Sequence, residues 1–154
     1  MTDQSLDFAI INKGGIRRGL PKGNITKGII MTMLPFDNRT VVMEIKGDAL
    51  ASAFDVMASR GGEGVSKDVS AKYDKNSGKC KSILINGKPL DPEQIYRVVT
   101  IDYLANGGDY MTSMRSGKVV NKKENVLYDD IIDFIERLRG KKINPSDEKR
   151  MIAE

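Results

Sequence analysis

The chain has 154 residues, 40% of them hydrophobic and 30% charged, and its 25 basic and 21 acidic side chains leave a net charge of +4. It has no histidine, which excludes a Ser-His-Asp triad, a Cys-His pair or a binuclear phosphatase centre built from this chain alone; histidine is the commonest ligand of catalytic transition metals and the commonest acid/base group near neutral pH. Its one cysteine, Cys80, excludes an internal disulfide and reads as a small packed side chain in a strand rather than a reactive thiol.

In chain order, Asp7-Phe8-Ala9-Ile10-Ile11 reads as a buried strand ended by Asn12-Lys13-Gly14-Gly15, and Pro21-Lys22-Gly23-Asn24 marks a loop. Thr26 is placed to cap a short helix over Lys27–Met33, weakened at Gly28 and ended by Pro35. The β-branched run Thr40–Ile45 is a second strand. Asp48 then reads as the N-cap of a helix with Ala49, Leu50, Ala53, Phe54 and Met57 at helical spacing, closed by Gly61-Gly62. Val69–Asp74 and Cys80–Ile85 form a hairpin around Lys75-Asn76-Ser77-Gly78, and Asn86-Gly87 is a tight-turn signal ahead of Pro89 and Leu90. Tyr96–Ile101 is a further strand. Tyr128, Ile131, Ile132, Ile135 and Leu138 make the apolar stripe of a helix finishing at Gly140. Residues 1–140 thus form one domain, and the polar tail 141–154 is free to fray. Strands and helices mix without strict alternation around a mid-chain hairpin, so the fold class is α+β.

No apolar run approaches the roughly 18–20 residues that span a bilayer. The start, Met1 to Asp7, has neither the basic region nor the apolar core of a signal peptide. The positive charge is dispersed and its densest stretches lack interleaved aromatics, so nucleic acid is not the expected partner and most lysines read as a solvated face.

Three segments carry groups suited to a ligand. Asn12-Lys13-Gly14-Gly15-Ile16-Arg17 puts a glycine turn and an arginine after a strand, fit for an anion or a polar sugar, or simply for a surface turn. Leu34-Pro35-Phe36-Asp37-Asn38 ends a helix with a phenylalanine that suits either the core or a ligand. Ile101-Asp102-Tyr103-Leu104-Ala105-Asn106-Gly107-Gly108-Asp109 sets an aromatic ring and a carboxylate around a glycine pair. A ring stacks on a planar base and a carboxylate accepts from sugar hydroxyls, though Tyr103 also reads as a packed aromatic with a wet hydroxyl.

Taken in this order, Asn-x-Gly-Gly-Ile-Arg, Leu-Pro-Phe and Leu-Ala-Asn-Gly-Gly-Asp resemble the C-terminal substrate-binding domain of the 5′-nucleotidase family, which includes UDP-sugar hydrolases and 2′,3′-cyclic phosphodiesterases. The resemblance runs from about Asp7 to Arg139 and takes in Ile25-Thr26, the Ile45-to-Leu50 run into the long helix, and Tyr96-Arg97-Val98. It implies a layered α/β/β/α fold with mixed sheets, the family's first helix missing. It also implies that Phe36 and Tyr103 stack on the base, that Asp109 binds ribose, that Arg17 serves ribose and phosphate, and that Asn12 contacts base or sugar. Gly14, Gly15, Asn106, Gly107 and Gly108 shape the loops. The family commonly has phenylalanine at the position of Tyr103, and its further substrate-binding arginine has no counterpart here.

The resemblance implies a nucleoside or nucleotide ligand, and an N-terminal metallophosphatase domain or chain carrying two divalent metal ions. This chain would then supply no catalytic residue, no metal ligand and no cofactor of its own. It points to a periplasmic or extracellular place, and to nucleotide catabolism. With the family's first helix missing, apolar surface beside Phe8 and Ile10 is expected to be uncovered, with a tendency to self-association. The alternative is a non-catalytic scaffold domain pairing with a separate metallophosphatase chain. An RNA-binding module is a weaker third reading, for no RNA-binding signature is present.

Overall fold

Alternation of side chains along β1 (Phe8–Ile11) sets the orientation of the whole molecule. In the computed structural model, which describes residues 5–154, Phe8 and Ile10 are 3% and 2% exposed, while Ala9 and Ile11 turn to the other face and are half-buried. This is the period of two expected of a strand in a sheet with unlike faces. Phe8 meets Phe54 at 6.0 Å and Tyr96 at 6.4 Å between ring centroids, so the face beside Phe8 and Ile10 is core. The uncovered apolar surface expected beside these residues lies on the other face of the strand, as a groove of about 320 Å³ lined by Ala9, Ile10, Ile11, Val65, Val99 and Leu127 among others.

β7 (Ile95–Ile101) takes β1 in parallel on one side and β2 (Arg39–Lys46) antiparallel on the other, with β3 (Gly64–Val65) and β8 (Lys118–Val126) at the two edges. The second sheet runs β6 (Lys88–Pro89), β5 (Cys80–Ile85), β4 (Val69–Tyr73) and β9 (Met151–Ala153), the last pair parallel. Both sheets are therefore mixed, and the architecture is α+β as expected. Core residues from the two sheets, among them Val41, Ile45, Val98, Val69, Ala71 and Ile85, enclose Leu50, Ala53, Phe54 and Met57 of α2 (Gly47–Ser59).

α1 (Lys27–Met33) begins as the sequence expects, with Thr26 Oγ1 accepting the Ile29 amide at 3.2 Å. Asp48 is not an N-cap: α2 starts one residue earlier, and Asp48 Oδ1 accepts only the Ala49 amide. The Gly47 and Asp48 amides instead donate to the Gln94 and Pro92 carbonyls at 2.9 and 3.0 Å, so a neighbouring loop does the capping. A side chain at Gly47 would collide with the Asp91 carbonyl. The Asn86-Gly87 turn has φ of 52° and 77°, the left-handed pair of a tight hairpin.

α4 (Leu127–Arg137) ends three residues before Gly140, which itself adopts φ of 71°; none of its residues is fully buried. The tail does not fray throughout: Met151–Ala153 forms β9 against β4, Arg150 Nη1 donates to the Val65 carbonyl at 2.8 Å, and the Met151 side chain lies against Gly62. Several elements carried no period in the sequence, among them the mostly exposed edge strand β8, the short strands β3 and β9, and the four-residue α3 (Asp102–Ala105). Among the described residues no helix is long and apolar enough to cross a membrane. The Met1–Gln4 start lies outside them.

Candidate functional site

β1 and β7 run parallel, so the segments that follow them leave the same end of the sheet side by side. The first is Asn12 and the turn Lys13–Gly15; the second is α3 and the loop through Asp109. The turn after α1 supplies the third wall. Arg17 is drawn to it by its backbone, the amide donating to the Met33 carbonyl at 2.8 Å. These three walls enclose a cleft of about 340 Å³ lined by Asn12, Gly14, Gly15, Arg17, Phe36, Asn38, Tyr103 and Asp109.

Asn12 is 4% exposed, and its Nδ2 donates to Asp109 Oδ2 at 2.7 Å across 97 residues of sequence. Its Oδ1 is buried without a hydrogen-bond partner. A buried, unsatisfied acceptor costs free energy, and in a cleft it is an invitation to a donor on a ligand. Gly15 is the residue that fits beside it, because a Cβ there would stand 3.0 Å from Asn12 Oδ1. A Cβ at Gly14 would be 3.7 Å from Asn12 Nδ2 and from Asp109 Oδ2, ordinary contact.

The Arg17 guanidinium carbon lies 5.1 Å from the centroid of the Phe36 ring, a cation–π arrangement. Phe36 and Tyr103 are 42% and 44% exposed, far more than core aromatics of this fold. Tyr103 is fixed at its base by Asp102, whose Oδ1 accepts the amides of Tyr103 and Arg39 at 3.0 and 3.1 Å while Oδ2 pairs with Lys122 at 3.2 Å. At its tip the Tyr103 hydroxyl donates to Asp109 Oδ1 at 3.0 Å and accepts the Asp109 amide at 3.2 Å.

The loop between ring and carboxylate depends on its glycines. Gly107 has φ of 87°, and a Cβ on it would meet Arg115 Nε at 2.7 Å; Arg115 Nε in turn donates to the Asn106 carbonyl at 2.9 Å. A Cβ on Gly108 would lie 2.5 Å from the Tyr103 ring. Asp109 itself has φ of 52°, left-handed and without the licence of glycine.

The structure thus brings Asn12, Arg17, Phe36, Tyr103 and Asp109 to one cleft, with Gly14 and Gly15 in its wall and Asn106, Gly107 and Gly108 behind it. Sequence reasoning missed Asn38, although it closes the Leu-Pro-Phe segment, and missed Arg60 and Glu63, which lie outside every motif and gave no local signal. Among the described residues no group of three or more His, Cys, Asp or Glu side chains is placed to hold a metal ion. Cys80 is half-buried, and burial first, then the neighbouring Asp55 carboxylate, push its thiol up to about 11.

This fold and the ordered motifs define a class. Residues 1–116 match the family described as 5′-nucleotidase, C-terminal domain, and the chain belongs to that family. It is 32% identical over 148 residues to an apyrase of Tabanus yao, covering 84% of this chain and 27% of that protein. It is 31% identical over 107 residues to the protein UshA of Escherichia coli, covering 67% of this chain and 19% of that protein. The chain therefore spans between a fifth and about a quarter of the length of these relatives. Among solved structures, a 5′-nucleotidase precursor from Thermus thermophilus superposes with a TM-score of 0.84 at 28% identity, over 96% of this chain and 31% of that one.

Proposed function

We propose that this chain is the nucleoside-holding half of a 5′-nucleotidase-like phosphoester hydrolase whose metal chemistry resides on another domain. The observation that carries the reading is the convergence of Asn12, Arg17, Phe36, Tyr103 and Asp109, from three segments as much as 97 residues apart, on one cleft. In this reading Phe36 and Tyr103 offer their rings to the base and Asp109 accepts from ribose hydroxyls. The orphaned Asn12 Oδ1 takes a donor from base or sugar, and Arg17 faces ribose or phosphate. The chain lacks histidine and a cation-sharing cluster among its described residues, so it does not fit two divalent ions. It orients a substrate, a contribution that reaches several kcal/mol in favourable cases. In the whole protein, water would attack a phosphate monoester with both metals on the N-terminal domain. Relatives include a snake venom 5′-nucleotidase of Crotalus adamanteus, which supports a secreted or periplasmic place for this one.

Calorimetric titration of the purified chain with adenosine and AMP tests this. Saturable binding that disappears in Phe36→Ala and Tyr103→Ala, without phosphate release, is the expected result; hydrolysis by the chain alone refutes the division of labour. A second reading, a non-catalytic scaffold for a separate metallophosphatase chain, draws on one observation. Both Asp109 oxygens are engaged within the chain, by Tyr103 and Asn12. That reading requires no nucleoside binding with or without the partner.

A further inference from the structure

Arg60 closes the C-terminus of α2, and Gly61 and Gly62, with φ of 79° and 87°, turn the chain so that Glu63 faces back toward it. The Glu63 side chain is 2% exposed. A carboxylate so buried survives only with partners, and it has two. Its Oε2 accepts the Lys13 amide at 2.6 Å, from the turn that follows Asn12, and its Oε1 accepts Arg60 Nε at 3.2 Å. That hydrogen bond raises the Arg60 guanidinium above its ordinary value.

The guanidinium spends a second nitrogen elsewhere. Arg60 Nη2 lies 3.8 Å from Asp109 Oδ2, and its carbon is 5.9 Å from the centroid of the Tyr110 ring. One planar group thus links the turn after β1, through Glu63, to the carboxylate at the end of the third motif. What it touches there is strained. Asp109 and Tyr110 are consecutive non-glycine residues with φ of 52° and 64°, and Tyr110 is 79% exposed, so packing of its own ring does not hold it. Left-handed backbone at such residues persists where the surroundings enforce it.

We propose that Arg60, braced by Glu63, is a positioning residue for Asp109: it holds the left-handed Asp109–Tyr110 pair so that the carboxylate faces the cleft and reads the ribose hydroxyls. The inference rests on the nucleoside reading given above. Lysine does not replace Arg60, because a single ammonium that bonds Glu63 has no second nitrogen to set beside the Asp109 carboxylate.

The test pairs a measurement on the free protein with one on the ligand. Three-bond HN–Hα couplings of Asp109 and Tyr110 report their φ angles by NMR, and calorimetry gives affinities for adenosine and 2′-deoxyadenosine. In Arg60→Ala the couplings leave the left-handed range and adenosine binding falls about tenfold, the scale of one lost charge-assisted contact, while 2′-deoxyadenosine changes about twofold or less. Arg60→Lys behaves like Arg60→Ala, and Glu63→Gln shifts both readouts in the same direction by less. Unchanged couplings in Arg60→Ala overturn the proposal, as does an unchanged ratio of the two affinities. If the unaltered chain binds neither nucleoside, the reading of the cleft fails by itself, and the couplings still decide whether Arg60 holds Asp109.

Discussion

The Tyr103 hydroxyl donates to Asp109 Oδ1 at 3.0 Å and accepts the amide of the same residue at 3.2 Å, so the ring that the proposed function gives to the base and the carboxylate that it gives to the sugar form one unit. Tyr103→Phe keeps the ring and removes both bonds. Adenosine affinity is expected to fall about fivefold, near 1 kcal/mol, the net worth of an ordinary hydrogen bond. Tyr103→Ala removes the stack too and costs about 1–3 kcal/mol more. Calorimetric titration of the two variants side by side checks this; equal losses would mean that the hydroxyl, not the ring, carries binding.

Phe36 has the Arg17 guanidinium 5.1 Å from its centroid and is 42% exposed, so its ring is free to serve a ligand while adding little to the core. Phe36→Ala is expected to lower nucleoside affinity by about 1–3 kcal/mol and to leave folding stability within about 0.5 kcal/mol. Urea unfolding and titration on the same preparation separate the two. A large loss of stability would make Phe36 a packing residue and remove it from the site.

Gly108 is glycine because the Tyr103 ring fills the space of its Cβ, at 2.5 Å. Gly108→Ala must push the ring away or bend the loop, so nucleoside binding is expected to fall about tenfold or more, a cost of about 1–3 kcal/mol typical of overpacking. Quenching of tyrosine fluorescence by added nucleoside should weaken in parallel. Gly14→Ala is the control: its Cβ has 3.7 Å to its nearest neighbours and should cost far less in stability.

Cys80 gives a pH dependence. Burial raises the folded thiol from 9.0 to about 11, while the unfolded thiol keeps its ordinary value. The folded state therefore holds the proton longer, and this stability is fully present below pH 9 and lost as pH rises toward about 11. Cys80→Ala should flatten that part of the curve, read as the difference in urea midpoint between the two proteins from neutral to alkaline pH. Thiol-reactive dye should label the native chain slowly until the same range.

Much of the fold was legible because local signals and tertiary structure agree. The Thr26 cap, the alternation of Phe8 and Ile10, the Asn86-Gly87 turn and the α2 stripe each state in a few residues what the packing then uses. The site was legible for another reason: the five residues that line the cleft and were read from the sequence sit in short motifs whose order matches a family. What could not be read depended on partners distant in sequence. The helix after Lys46 begins where Gln94 and Pro92 offer carbonyls, not where Asp48 sits. β8 gave no readable signal because it is an edge strand with mostly exposed residues, and β9 is a three-residue strand made by the parallel partner β4. Arg60 and Glu63 look like surface charge until the turn at Lys13 is folded over them.

The parallel pairing of β1 with β7, with Phe8 opposite Val98 and Ala9 opposite Val99, has a consequence for how this cleft can be altered. A slip of one residue would move Asn12 by about 3.3 Å against Asp109 and turn the Phe8 face outward. Insertions between Ile10 and Asn12, or between Thr100 and Tyr103, would therefore disturb the cleft and the fold together. The cleft can be re-lined one side chain at a time, at Asn38 for instance, but it cannot be re-spaced. For anyone redesigning the cleft, the sheet behaves as a fixed gauge and the loops as its replaceable jaws.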